Sequence, residues 1–413
     1  MKAVVFSLGC KVNSWEGSAL MSGLKELGYE VSDRLSAADL YIVNTCAVTA
    51  EAEKKSRQAI ARVRKFNPDA KVIVCGCASQ KDPQSFAEKG VSLVYGAINK
   101  DKLLDVLNET GIKFDDSPCY YEKFNALTDV KTRAFVKIQD GCDNFCSYCI
   151  IPYLRGRSRS RPISSVLKEF DGITAKEVVL TGINVSNYNY DGVDLAGLIR
   201  LLSRFPVRLR LSSLEDNVIS EELLAALKDL PDFAQHFHLS LQSGSDKVLK
   251  EMNRKYTTET FLRSVKAIRS YFPSAAITTD VIAGYSTETE EDFKQTLDFC
   301  KKVDFADIHC FEYSRREGTA GAKLPELKKD VKRRRMNELL SLKKQLKESF
   351  ISRNIGKIFK VLPEDVEGDH VVGYTGNYIK VYLEGVFDDD FQYVRLTEPY
   401  GEGALGEIIK YIK

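Results

Sequence analysis

Over the first 110 residues, apolar positions gather in short β-rich runs separated by stretches with helical spacing. Ala3–Ser7, Leu40–Asn44, Val72–Cys75 and Ser92–Tyr95 read as strands, and residues 14–28, 49–66, 83–89 and 100–109 as helices. Strand–helix alternation of this kind predicts a parallel sheet with helices on both faces. Periodicity fades over 111–133, where Asp115-Asp-Ser-Pro-Cys119 has turn composition. From Ala134 a second series begins, with strands at Ala134–Gln139, Glu177–Leu180, Arg208–Leu211, Phe237–Leu241, Ile277–Ile282 and Ala306–Phe311. Helices fill the gaps near 163–170, 194–203, 220–229, 258–271 and 288–302. Successive β/α units predict an incomplete barrel, open on one side, with its active site at the strand C-termini.

A basic helical stretch at 328–352 precedes a change of texture. The runs Lys357–Leu362, Val371–Tyr374, Tyr378–Leu383 and Tyr393–Leu396 are short and β-like, and Gly368-Asp369, Gly376-Asn377 and Gly385 mark turns. They predict a small β-barrel of about five strands. The expected organisation is therefore α/β throughout the first two units: a parallel-sheet domain at 1–112, a linker at 113–133, a partial (β/α)6 barrel at 134–350 and a small β-barrel at 351–413.

Length and composition agree with a multi-domain soluble protein: 413 residues, 44% hydrophobic and 29% charged. No run of 18 apolar residues occurs, and Met1–Cys10 reads as a first strand rather than a signal peptide. Ten cysteines without a secretion signal point to a reducing, cytoplasmic compartment and to metal ligation instead of disulfides. The net charge of +2 says little, but its distribution says more. Residues 131–161 carry a net +5 and 323–353 a net +7. Lys54, Lys55, Arg57, Arg62, Arg64 and Lys65 fall on one side of a helix, with Ala59, Ile60, Val63 and Phe66 opposite. One such patch is an ordinary solvated face; three suggest a polyanion partner.

Candidate chemistry lies in the cysteines. Cys142, Cys146 and Cys149 stand at C-x3-C-x2-C with no fourth cysteine nearby. Ordinary iron–sulfur clusters use four thiolates, so three leave one iron open to bind a small molecule. A zinc site needs a fourth Cys or His close by, and the nearest histidine is His236. Cys10, Cys46 and Cys77 each follow a strand of the first series, and a parallel sheet brings such strand ends to one edge. They suggest a second three-cysteine metal site. At later strand ends, Ser212, Glu215, Ser240, Gln242 and Asp280 mark where cofactor and substrate should lie; each could instead serve as a turn residue or cap. His238, in Phe-His-Leu-Ser-Leu, reads as a satisfied core histidine.

The spacing Cys142-Asp-Asn-Phe-Cys146-Ser-Tyr-Cys149 resembles the radical S-adenosylmethionine superfamily, and the whole chain resembles its methylthiotransferases. The resemblance rests on Leu8-Gly-Cys10-Lys-Val-Asn13, Asn44-Thr-Cys46, Val74-Cys-Gly-Cys77-Ala-Ser-Gln80 and Gly141–Pro152 followed by Arg155-Gly-Arg-Ser-Arg-Ser-Arg161. It implies two [4Fe–4S] clusters, an auxiliary one on Cys10, Cys46 and Cys77 and one on Cys142, Cys146 and Cys149 that cleaves S-adenosylmethionine. Cys77 is preferred over Cys75 by the family pattern, and Cys75, Cys119, Cys300 and Cys310 are left as small buried residues. Tyr148 would lie near the adenine, and Thr181-Gly182 near the methionine amino group. The C-terminal barrel looks like the family's RNA-binding TRAM domain, although 353–413 carry a net −4, which suits phosphate poorly.

Three branches divide the family, acting on threonylcarbamoyladenosine or isopentenyladenosine at position 37 of tRNA, or on an aspartate of a ribosomal protein. Lys11-Val12-Asn13 and Tyr313–Thr319 resemble the first, with departures at Glu317 and Ser286-Thr287, where the family often has proline and Pro-Gly. The implied activity is hydrogen abstraction from C2 of the modified purine by a deoxyadenosyl radical, then methylthio insertion, with no general acid or base assigned. tRNA and an electron donor such as flavodoxin or ferredoxin are the implied partners; the sulfur donor is not indicated. Arg155, Arg157, Arg315 and Arg316 are candidates for the substrate carboxylate, and Arg333, Arg334 and Arg335 for tRNA phosphates. The rival from another class is a non-catalytic RNA-binding protein with structural zinc.

Overall fold

The computed structural model describes residues 1–115, 125–126, 132–385 and 390–409. Cys119 and most of the 113–133 stretch lie outside the described residues. The N-terminal unit is a six-stranded parallel sheet in the order Glu30–Ser32, Lys2–Ser7, Leu40–Thr45, Lys71–Gly76, Leu93–Tyr95, Gly111–Lys113. Leu40–Thr45 is central and buried at every position, as expected for a strand covered on both faces. The first and last strands escape sequence reading. They are three-residue edge strands, largely solvent-accessible, and carry no alternating pattern. Helix Ala50–Arg64 buries Ala59, Ile60 and Val63 as expected, but Phe66 lies beyond its end and is exposed.

The expected β/α series is present as a partial barrel. Strands Arg133–Asp140, Glu177–Gly182 and Arg208–Leu211 pair in parallel, and Ser213–Leu214, His236–Leu239, Ala276–Ala283 and Asp307–Glu312 continue the wall. A bridge between Leu209 and Phe233 joins the two halves. Helices Thr258–Tyr271 and Glu290–Val303 begin with reciprocal caps from Thr257/Thr260 and Thr289/Asp292, which satisfy first-turn N–H groups and set where each helix starts.

Strands Ile358–Glu367, His370–Thr375, Lys380–Leu383, Gly403–Ile408 and Gln392–Tyr400 close into the expected five-stranded barrel. It docks on the strand N-terminal end of the partial barrel. There Glu177 accepts from Arg133 Nε (2.6 Å), Arg208 Nε (2.7 Å) and Arg210 Nε (2.9 Å). Arg133 also pairs with Glu364, Arg208 donates to the Lys360 carbonyl (3.0 Å), and the Tyr378 ring stacks on His236 at 4.8 Å. The opposite, C-terminal strand end faces the N-terminal sheet and carries the cysteines. Among the described residues no helix is long and apolar enough to cross a membrane.

Candidate active site: two cysteine triads

The Cys142–Cys149 loop leaves the C-terminal end of strand Arg133–Asp140 through Gly141. At φ +70° Gly141 lies in the left-handed region, and a Cβ there would sit 2.0 Å from the Arg157 carbonyl oxygen, so only glycine fits. The loop is pinned from outside. Asn253 Nδ2 donates to the carbonyls of Asn144 (3.0 Å) and Phe145 (3.1 Å), Ser147 N–H to the Met252 carbonyl, and Gly321 N–H to the Ser147 carbonyl. Arg254 Nη1 donates to Cys146 Sγ at 3.3 Å, and its Nη2 lies 2.9 Å from Glu215. Burial pushes the thiols of Cys142 and Cys149 up, the latter to about 12, with the neighbouring thiols adding to the shift.

The other three cysteines meet at the edge of the N-terminal sheet. Cys10 N-caps helix Lys11–Glu26, Cys46 follows Leu40–Thr45, and Cys77 opens a short helix after Lys71–Gly76. Asn13 Nδ2 holds the Leu8 and Thr45 carbonyls (2.7 and 2.9 Å), while Asn44 Nδ2 donates to the Asn13 carbonyl (2.9 Å). This lattice fixes the loops carrying Cys10 and Cys46. Gly9, at φ +96°, lies so close to Cys46 that a Cβ would be 2.5 Å from its Sγ. Burial raises Cys46 to about 11, with Cys10 and Cys77 acting in the same direction. Cys75 is fully buried in the strand, and so is Cys300 on helix Glu290–Val303; Cys310 is only partly buried.

Arg155 ties this triad to the partial barrel. It is fully buried, donating through Nε to Cys77 Sγ (3.2 Å), through Nη1 to Glu16 (2.7 Å) and Asp140 (3.2 Å), and through Nη2 to Asn13 Oδ1 (2.8 Å). Glu16 also holds Lys100 and Lys137 (2.9 Å). Burial alone would raise the Glu16 carboxyl, but Arg155, Lys100 and Lys137 hold it well below the usual range.

The two triads share one apolar cluster. Leu8, Ala47, Ile150, Ile151, Leu154 and Ile183 pack with Cys77 from one set and Cys149 from the other. Arg316 is buried nearby, and both Cys46 and Cys149 are close enough to act on its charge. Among the described residues no three His, Cys, Asp or Glu side chains close on a single ion. A tetrahedral zinc would draw its ligands within about 2.3 Å of one centre, whereas a cubic cluster takes each thiolate on a separate iron. Three thiols per site, without a fourth ligand and with an arginine N–H on one sulfur of each set, fit the second donor set.

The other expected contacts are placed unevenly. Glu215 faces the Cys142 loop, accepting from Asn144 (2.7 Å), Asn184 (3.0 Å) and Arg254. Thr181 is buried and Gly182 partly so, next to Asn184. The Ser240 carbonyl accepts from Arg254 and Tyr256, and Ser212 Oγ is buried with no hydrogen-bond partner. Tyr148 packs with Met252, Tyr285 and Tyr313. Gln242 holds a left-handed backbone (φ 69°), its N–H on the Asp280 carbonyl. The Asp280 side chain points elsewhere, into the barrel lumen, where it pairs with His238 at 3.2 Å. His238 is therefore satisfied, but by a polar cavity and not by the core.

Several arginines have to be reassigned. Arg155 is consumed internally and cannot hold a substrate carboxylate. Arg316 spends Nη1 on Glu53 (3.0 Å) and Nη2 on the Ala47 carbonyl (3.0 Å), leaving no two-bond fork. Arg157 and Arg315 remain exposed. Arg335 is buried on Glu288 (2.7 Å), and Arg334 pairs with Glu290 and Glu338, so of that trio Arg333 is the exposed cation without such a pair among the described residues. Four cations of the basic 131–161 stretch are likewise paired inside the protein. Lys137, Arg155, Arg159 and Arg161 bind Glu16, Asp140 and Glu169.

Comparison with known proteins agrees with this architecture. Residues 136–300 match the Radical SAM superfamily, and 2–96 match Uncharacterized protein family UPF0004. Threonylcarbamoyladenosine tRNA methylthiotransferase MtaB of Bacillus subtilis is 37% identical over 99% of this chain and 98% of the relative. The enzyme of that name from Thermotoga maritima is also 37% identical, covering 98% and 96%. tRNA-2-methylthio-N(6)-dimethylallyladenosine synthase of Alkaliphilus oremlandii is 33% identical, covering 91% and 85%. Among solved structures, the radical S-adenosylmethionine methyltransferase TsrM of Kitasatospora setae shares the fold, with TM-score 0.59, 16% identity and coverage of 78% and 76%. Radical SAM membership implies a [4Fe–4S] cluster and S-adenosylmethionine. With identity above 30% along almost its whole length, the chain belongs to the tRNA methylthiotransferase family of radical S-adenosylmethionine enzymes.

Proposed function

We propose that the chain converts N6-threonylcarbamoyladenosine, 3′ to the anticodon of tRNA, to its 2-methylthio derivative, using two [4Fe–4S] clusters. What supports the chemistry is the convergence of two incomplete cysteine triads on one apolar cluster. What supports the substrate is 36–37% identity to four relatives named for threonylcarbamoyladenosine, with a fifth at 33%, against 33–35% for three named for dimethylallyladenosine. Cys142, Cys146 and Cys149 would hold the cluster that meets S-adenosylmethionine, and Cys10, Cys46 and Cys77 the auxiliary one. Bound there, these groups supply one-electron cleavage of the sulfonium and the sulfur to be transferred.

The chain's own residues do the rest. Arg254 and Arg155 each place an N–H on one ligand sulfur and so fix its position. Glu215, fixed by Asn144, Asn184 and Arg254, presents a carboxylate oriented for the cofactor's ammonium or ribose hydroxyls. Tyr148 offers a ring to the adenine, Thr181 and Gly182 line the methionine side, and Ser212, Ser240 and Gln242 complete the strand-end contacts. The apolar cluster around Ile150, Ile151 and Leu154 excludes water from the space between the triads. A cytoplasmic location and a flavodoxin- or ferredoxin-like electron donor follow from this chemistry.

Anaerobically purified protein should hold about eight iron per chain. Replacing either triad with alanine should leave about four. Loss of the Cys142 set should abolish deoxyadenosine formation, and loss of the Cys10 set should leave uncoupled cleavage. Nucleoside mass spectrometry of tRNA from a deletion strain should show the 2-methylthio derivative missing and its threonylcarbamoyl precursor retained. Full iron content in the Cys10 triple variant, or disappearance of the isopentenyl product instead, would overturn the corresponding part.

A further inference from the structure

The lumen of the partial barrel is not filled by apolar side chains. It holds a cavity of about 410 Å³ whose wall includes Lys11, Ser213, His238, Thr278, Asp280 and His309. The C-terminal barrel closes one end with Tyr374 and Tyr378, whose rings stack at 5.0 Å. Lys11 connects the cavity to the reaction centre through the chain. Its backbone follows Cys10, and its side chain lines the lumen.

Most polar groups of this wall are matched to one another. His238 uses Nε2 on Asp280 (3.2 Å) and Nδ1 on Thr278 (3.0 Å), and His236 Nε2 also meets Thr278 (2.9 Å). Among the described residues His236 Nδ1 is buried with no partner, and Lys11, which is solvent-exposed, is a cation of the wall that is likewise unpaired. Among the described residues it has no ion pair or hydrogen bond from its ammonium, and the nearby Arg133 and Arg210 are committed to Glu177. Asp280, whose charge acts on Lys11, is already engaged by His238. The lumen is thus a polar chamber with an unpaired, solvent-reachable cation on its wall, which fits a short polar chain ending in an anion.

We infer that this cavity receives the threonylcarbamoyl side chain of the substrate base, with Lys11 holding its carboxylate. The inference rests on the substrate reading given above. Ser213, Thr278 and His309 are the groups available to the hydroxyl and ureido atoms. An isopentenyl chain would desolvate the ammonium and return no partner, so the same wall that binds one substrate rejects the other.

The test uses the full-length holoenzyme and anticodon stem-loops carrying threonylcarbamoyladenosine as the free acid or as its methyl ester. Anaerobic binding and initial rates of methylthiolation are both read. A charged hydrogen bond lost on esterification corresponds to about tenfold or more in affinity. The wild type should prefer the acid by that factor, Lys11→Gln should bring the ratio near one, and Lys11→Arg should keep it. The wild-type ratio needs no variant, so it stands even if Lys11→Gln loses iron. A wild-type ratio near one, or a Lys11→Gln ratio equal to the wild type's, overturns the inference while leaving the substrate reading intact. Methylthiolation of an isopentenyl stem-loop and not of either threonylcarbamoyl form defeats the substrate reading, and this inference with it.

Discussion

Replacing Arg155 with methionine removes a side chain that touches a sulfur of the Cys10 triad and the carboxylates of both flanking domains. Removing one partner from a buried ion pair costs about 3–5 kcal/mol when the other charge is left alone. Here neither acid is left alone. Glu16 keeps Lys100 and Lys137, and Asp140 keeps Lys137 (2.6 Å) and Arg159 (3.1 Å). The expected loss is therefore smaller, about 2–4 kcal/mol, made up of the hydrogen bonds to charged groups and the void left by the guanidinium. Arg155→Lys keeps the charge but cannot span Cys77, Asn13, Glu16 and Asp140 at once, so it should recover only part of the loss. Urea unfolding of the metal-free chain under reducing conditions measures the cost. Anaerobic iron content measures the consequence for the auxiliary site, which should become labile while the Cys142 site keeps its iron. Arg157→Met, two residues away on an exposed arginine, is the control and should stay within about 0.5 kcal/mol. An Arg155→Met chain with the wild-type urea midpoint and full iron content would refute the assignment of Arg155 as the link between the domains.

Glu177→Gln should loosen the C-terminal barrel, since three arginines lose their common carboxylate; a cost of about 3–5 kcal/mol is expected, and limited proteolysis that still spares residues 350–358 would count against it. Stability should fall on acidification. Burial alone would raise Glu16, Asp140 and Glu177, but their cationic partners hold all three below the usual carboxylate range. Depressed folded-state values mean the stabilisation is complete above the unfolded value of about 4 and is lost as pH falls below it; a urea midpoint unchanged between pH 6 and pH 3 would contradict this. For tRNA, reversing the exposed Lys54, Lys55 and Arg333 to Glu should weaken binding and flatten its salt dependence. An isolated 353–413 fragment binding tRNA as tightly as the full chain would refute that placement, because Lys360 and Lys380 of the barrel are already paired with Asp232 and Glu367.

The elements whose patterns span many residues were legible. Leu40–Val43 is an unbroken apolar run, and Glu290–Val303 announces itself by a Thr-x-x-Asp cap, so the sheet and barrel wall follow from periodicity and local signals. The cysteines were legible because chemistry restricts them: three thiols at strand ends of one parallel sheet have to share an edge. Edge strands such as Gly111–Lys113 were not, because three accessible residues bury no face that could impose a pattern.

The basic residues show why charge counted along the chain misleads. Arg155-Gly-Arg157-Ser-Arg159-Ser-Arg161 looks like one phosphate-binding run, yet only Arg157 is exposed. The other three turn inward to carboxylates on distant segments: Glu16 on the first helix, Asp140 on the first barrel strand and Glu169 on the helix that follows. A guanidinium is buried only where a partner waits, and those partners lie up to 139 residues away. Local sequence therefore records the cation but not its destination. Lys11 is the converse case. A single lysine after a ligand cysteine attracts no attention as a patch, yet among the described residues the fold leaves it without an acid partner on the wall of a polar chamber. Specificity in this chain is thus expected from a cation the fold leaves unmatched, and interdomain rigidity from the cations it neutralises.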